Sequence, residues 1–205
     1  YLVDRVVPML PERLSNNLCS LNPHEDKLSF SAIFELDGKA RVHAEWFGRT
    51  IMRSDQRFAY HEAQALIDGG EGEFKEEVLT LYELSKVLRK DRMDNGALEV
   101  GGNEVKFRLD DHGRPLEVYE KVMGPAKRLN EEFMLLANKQ VAASISRRKG
   151  GAPPFVYRIH DLPDPEKVQQ LRMLAKSFGH ELKTDGRPED LPKAINALMH
   201  KNKGS

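Results

Sequence analysis

Residues 124–146 read GPAKRLNEEFMLLANKQVAASIS, and this stretch decides the fold. Pro125 suits the first turn of a helix, where its missing N–H is not needed. Leu129, Phe133, Leu136 and Gln140 recur at helical spacing on one stripe, with Met134, Val141 and Ile145 on the neighbouring one. The pattern predicts a long helix enclosed on more than one side. Glu131, Leu135, Asn138 and Ala142 form a third stripe, which places a carboxylate and an amide two turns apart among apolar neighbours. Polar groups so placed need partners. The residues alone allow them to cap the backbone of adjacent loops or to serve a site.

Around this helix the chain alternates strand and helix signals. Leu28, Phe30, Ala32, Phe34 and Leu36 recur at period two, Asp37-Gly38 signals a turn, and Ala40, Val42, Ala44 and Trp46 resume the alternation. This predicts an antiparallel hairpin with one buried face. Ser54 or Asp55 can cap a helix entered near Tyr60. Asp68 to Glu73 is an acidic, glycine-rich linker; without a following Lys-Ser/Thr it is no phosphate cradle. Phe74, Val78, Leu81 and Leu88 mark an amphipathic helix ending in cations that suit its dipole. Beyond Asn95-Gly96, residues Ala97, Leu98 and Val100, then Val105, Phe107 and Leu109, read as a hairpin, and Asp111-His112-Gly113 turns into Leu116 and Val118. Pro153 to His160 reads as a short strand. Asp164-Pro165 opens an amphipathic helix stopped by Gly179, and Pro188 to Met199 is a weaker one. The expected class is α+β, a mainly antiparallel sheet packed against long helices, with an exposed sheet edge.

In 205 residues Lys plus Arg equals Asp plus Glu at 32 each, so no global basic field announces a nucleic-acid partner, and any such site is local. The single cysteine, Cys19, excludes an internal disulfide and suits a reducing cytoplasm. No apolar run approaches the roughly 20 residues of a membrane span, so no membrane partner is expected. The opening Tyr1-Leu2-Val3-Asp4, without an initiating Met, leads us to expect a segment of a longer protein.

Three motifs carry a resemblance. The run LNEEFMLLANKQVA from Leu129, the run PMLPERLSNNLCSLNPHED at residues 8–26, and YRIH at residues 157–160 followed by Pro163 are similar, in the same order, to signatures of the ribonuclease II and ribonuclease R catalytic (RNB) domain. The resemblance implies the central part of such a domain over residues 1–205, closer to the ribonuclease R type. It implies a parent enzyme that degrades single-stranded RNA from the 3′ end to nucleoside 5′-monophosphates with Mg²⁺.

In that family the tyrosine of the element matched by Arg57-Phe58-Ala59-Tyr60 and the first glutamate of the acidic pair lie at the sugar. The resemblance therefore implies Tyr60 and Glu131 as ribose contacts, a phenol and a carboxylate able to bond the 2′-hydroxyl that separates RNA from DNA. The family's metal-holding aspartates lie before the first motif and its phosphate-stabilising arginine pair after the last helix, so no catalytic residue and no metal ligand is expected within this chain. Where some members stack a phenylalanine on the terminal base, this sequence has Val100, which lacks a π-face, and that role is not carried over. Arg147 and Arg148 read as an ordinary helix C-terminus or as a phosphate contact. The competing class is a non-catalytic RNA-binding or scaffold protein that keeps the fold.

Overall fold

The computed structural model describes residues 5–98, 104–121, 123–148, 153–159, 161, 163–182 and 190–202. Tyr1 to Asp4, Val100 and His160, which figure in the expectations above, lie outside them. The chain divides into two compact units. The first comprises Tyr1–Val87 and Gly102–Ser144, the second Leu88–Gly101 and Ile145–Ser205.

In the first unit, residues Arg13–Leu18 form a turn of the wide π type, with Cys19 N–H donating to Leu14 O at 2.8 Å. Strands β1 (Asp26–Leu36) and β2 (Val42–Arg53) pair antiparallel, with Ser29 opposite Thr50 and Ala32 opposite Phe47. The hairpin is the one expected, but its exposure is reversed near the open end. Lys27 is buried and donates through Nζ to Asn17 O at 3.0 Å, with Glu25 Oε2 at 2.6 Å. Successive side chains of a strand point to opposite faces. Anchoring Lys27 on one face therefore sends Leu28, Phe30 and Ile51 to the other, where they are 83%, 72% and 71% exposed. On the Lys27 face the Ser29, Ser31 and Thr50 hydroxyls bond one another, with Thr50 Oγ1 2.8 Å from Ser29 Oγ and 2.6 Å from Ser31 Oγ.

Helix α1 (Tyr60–Ile67) starts without help from Ser54 or Asp55: Glu62 folds back so that its Oε2 accepts from Ala59 N–H at 2.6 Å. Helix α2 (Lys75–Asp94) buries Val78 and Ser85 and carries spaced ion pairs, among them Lys86 with Glu83 and Lys90 with Asp94, whose carboxylates raise both lysine pKa values. The second antiparallel pair is β3 (Glu104–Leu109) with β4 (Pro115–Lys121); Ala97 and Leu98 belong to no strand.

The loops of the two hairpins are built alike. Asp37 Oδ1 accepts from Lys39 N–H at 2.8 Å and Arg41 N–H at 3.0 Å; Asp110 Oδ1 accepts from His112 N–H at 2.9 Å and Arg114 N–H at 2.8 Å. In both, the residue three after the aspartate has a positive φ, 54° at Ala40 and 78° at Gly113, and a register shift follows. The Asp37-Gly38 signal thus belongs to a longer loop than a two-residue turn.

Helix α3 (Pro125–Ser146) has the expected bounds. It buries Ala126, Glu132 and Leu136, while Met134 is 57% exposed and Leu135 38%, so it is less enclosed than its composition suggests. The inward carboxylate of the acidic pair is Glu132, at 3% exposure; Glu131 is half-buried.

In the second unit, α4 (Pro165–Ser177) begins as predicted, with Asp164 Oδ1 accepting from Glu166 N–H at 2.9 Å, and ends at Gly179 with His180 N–H donating to Ala175 O. Helix α5 (Asp190–Asn202) sends Asn196 Nδ2 to Ala97 O at 2.7 Å. Residues 153–159 form no strand. Pro153 and Pro154 offer no N–H to a ladder, and Phe155 and Tyr157, two apart on one side of the segment, meet edge to face at 5.0 Å.

Candidate functional site

The candidate site grows from the docking of α1 on α3 within the first unit. The first four N–H groups of a helix have no partner in their own turn. One of those of α3, Ala126 N–H, donates to Gln64 Oε1 of α1 at 3.1 Å, and Gln64 Nε2 donates in turn to Asp68 Oδ1 at 2.9 Å. Four residues earlier on α1 and four later on α3, Asn130 Nδ2 donates to Tyr60 Oη at 3.2 Å. As one index falls the other rises, so the two helices run antiparallel at this contact. Residues four apart share a helix face, and two side-chain bonds one turn apart therefore set the register.

Tyr60 is 51% exposed, with its hydroxyl against α3 and part of its ring facing solvent. Glu131 follows Asn130 directly. Consecutive helix positions are about 100° apart, so Glu131 lies on the face adjoining the one that holds Tyr60. The structure thus brings the Tyr60 hydroxyl to the residue next to Glu131. Sequence reasoning missed Asn130 and Gln64. Their signal is the paired four-residue spacing, 60 and 64 against 126 and 130, which has no meaning until the two helices are known to dock.

Arg147 and Arg148 are exposed just beyond the last turn of α3, where Arg148 N–H donates to Ile145 O at 3.3 Å. They belong to the second unit. Among the described residues no group of three or more His, Cys, Asp or Glu is gathered as a metal ion requires. No helix among the described residues is long and apolar enough to cross a membrane.

Three comparisons bear on this arrangement. Residues 1–204 match the family model of the RNB domain. The chain is 38% identical over 199 residues to DIS3-like exonuclease 2 of Schizosaccharomyces pombe, covering 88% of this chain and 21% of that protein. It is 32% identical over 215 residues to ribonuclease R 2 of Lactococcus lactis, covering 100% and 31% respectively. The chain therefore spans less than a third of the length of either relative. Among solved structures, Mycoplasma genitalium RNase R in complex with ribose methylated single-stranded RNA superposes with a TM-score of 0.82 at 26% identity, over 98% of this chain and 31% of that one. Yeast Ssd1, a pseudonuclease, shares the fold with a TM-score of 0.65 at 17% identity over 95% of this chain and 24% of that one. With the family's signatures in order along the sequence and its architecture in the fold, the chain belongs to the RNB domain family.

Proposed function

We propose that this chain is the central part of the catalytic domain of a 3′-to-5′ exoribonuclease of the ribonuclease R type. The parent protein hydrolyses single-stranded RNA to nucleoside 5′-monophosphates with Mg²⁺ held by residues outside this chain, and works in the cytoplasm. The segment itself reads the sugar: Tyr60 and Glu131 contact the ribose 2′-hydroxyl, and Arg147 and Arg148 meet backbone phosphates. The observation that carries this reading is the bond from Asn130 to Tyr60, which holds a half-exposed phenol against the residue that precedes Glu131, 70 positions away in sequence. The relatives named for exonuclease activity supply the reaction, and the neighbour that binds ribose-methylated RNA supplies the substrate class.

The test is made on the full-length protein. Tyr60→Ala or Glu131→Ala is expected to narrow the preference for an oligoribonucleotide over its deoxy counterpart more than it slows bond cleavage. Equal loss on both substrates would remove these residues from sugar reading. The isolated chain is expected not to release mononucleotides from a 3′-overhanging RNA in Mg²⁺. The non-catalytic reading predicts no release from the full-length protein either, which separates the two classes.

A further inference from the structure

We propose that Asn130 sets the direction in which the Tyr60 hydroxyl offers its proton, and is thereby a positioning residue for the choice of ribose over deoxyribose. The inference rests on the reading of Tyr60 as a sugar contact and adds to it a residue and a hydrogen-bond polarity.

A carboxamide has two chemically different ends, one that only donates and one that only accepts. Two neighbours of Asn130 decide which end faces Tyr60. Its Nδ2 lies 3.2 Å from Tyr60 Oη and 3.5 Å from Met134 Sδ. A thioether sulfur carries no proton and can only accept, so the nitrogen, not the oxygen, must face it. That nitrogen has two hydrogens; one goes to the sulfur and the other to the phenol. Tyr60 Oη is then an acceptor toward Asn130.

A phenol has one proton to give. With Asn130 supplying a hydrogen to its oxygen, that proton is directed away from α3, on a side chain 51% exposed. A ribose 2′-oxygen can accept it, whereas deoxyribose has nothing there to accept. The register that keeps Asn130 in place is held one turn away by Gln64 Oε1 and Ala126 N–H at 3.1 Å, so the amide does not slide along Tyr60.

The experiment uses the full-length protein and measures the dissociation constants of a fluorescent oligouridylate and its deoxy counterpart, taking their ratio. Asn130→Asp keeps the size of the side chain but replaces the donor with an acceptor, which draws the phenol proton toward α3. The added charge repels both oligonucleotides alike and cancels in the ratio. The expected result is a drop in RNA preference of about three- to tenfold, the worth of one hydrogen bond, matching Tyr60→Phe. Asn130→Leu, which neither donates nor accepts, is expected to give a smaller drop and carries the test if the aspartate variant fails to fold.

If Tyr60→Phe lowers the preference while both Asn130 variants keep the wild-type ratio, the role of Asn130 is overturned and the sugar contact stands. If Tyr60→Phe itself leaves the ratio unchanged, the reading of Tyr60 falls and this inference falls with it.

Discussion

Gln64 Oε1 accepts the backbone N–H of Ala126 at 3.1 Å, so a side chain on one helix caps the start of another 62 positions away. Removing such a cap costs about 1 kcal/mol. Gln64→Ala is therefore expected to lower the urea midpoint of unfolding by an amount equivalent to about 1 kcal/mol. Because the same bond sets the register of Tyr60 on Asn130, it should also weaken RNA preference. Unchanged stability would mean that water replaces the glutamine at no cost.

The Asp37 loop makes a pH prediction. The carboxylate takes N–H groups of Arg41 and Lys39 and the side chains of His43 and Arg41, and these, the Arg41 backbone first, hold its pKa well below the ordinary carboxylate value of 3.8. A depressed folded-state value means that the stabilisation is fully present above the unfolded pKa, here near 4, and is lost as pH falls from there through the folded-state value. Melting temperatures of wild type and Asp37→Asn should differ at pH 7, and the difference should shrink progressively as the pH falls from 4 toward 2. A difference of the same size at pH 4 and at pH 2 would place the effect in the loop's shape and not in its charge.

The twin loops differ in the residue that takes the left-handed conformation. At Gly113 φ is 78° and a Cβ would meet no atom within 4 Å, so Gly113→Ala changes only backbone strain. The expected cost is about 1 kcal/mol. Gly113→Asn should cost less, because asparagine tolerates this region better. Chemical denaturation of the two variants checks the order.

Trp46, the only tryptophan, reports on its own neighbour. A Cβ at Gly48 would lie 2.5 Å from Cη2 and Cζ2 of the Trp46 ring, the far end of a side chain that is 49% exposed. In Gly48→Ala the indole has to swing outward into water. A red-shifted emission maximum is expected, with a stability loss below about 1 kcal/mol because one exposed ring can relocate without opening a core. An unshifted spectrum would show that the strand moves and not the ring.

Much of the fold was legible because its signals are local. A proline at the first turn, a capping aspartate at residue 164, a stopping glycine at residue 179 and a period of two along residues 28–36 act over a few residues, and the bounds of α3 and the start of α4 follow from them. Local signals also misled. Pro153 to His160 carries strand-forming residues, yet its two prolines leave the first positions without donors, and residues 153–159 join no ladder.

By itself the sequence determined the family, through three ordered motifs, and the places where helices and hairpins begin and end, because those depend on neighbours within one or two turns. Only the tertiary structure decided that Lys27 turns inward while Leu28 and Phe30 turn outward, that Glu132 and not Glu131 is the buried carboxylate, and that Tyr60 meets Asn130. Period alone cannot say which face of a strand or helix is covered. That depends on which distant groups find hydrogen-bond partners when the elements dock, as Lys27 finds Asn17 and Gln64 finds Ala126.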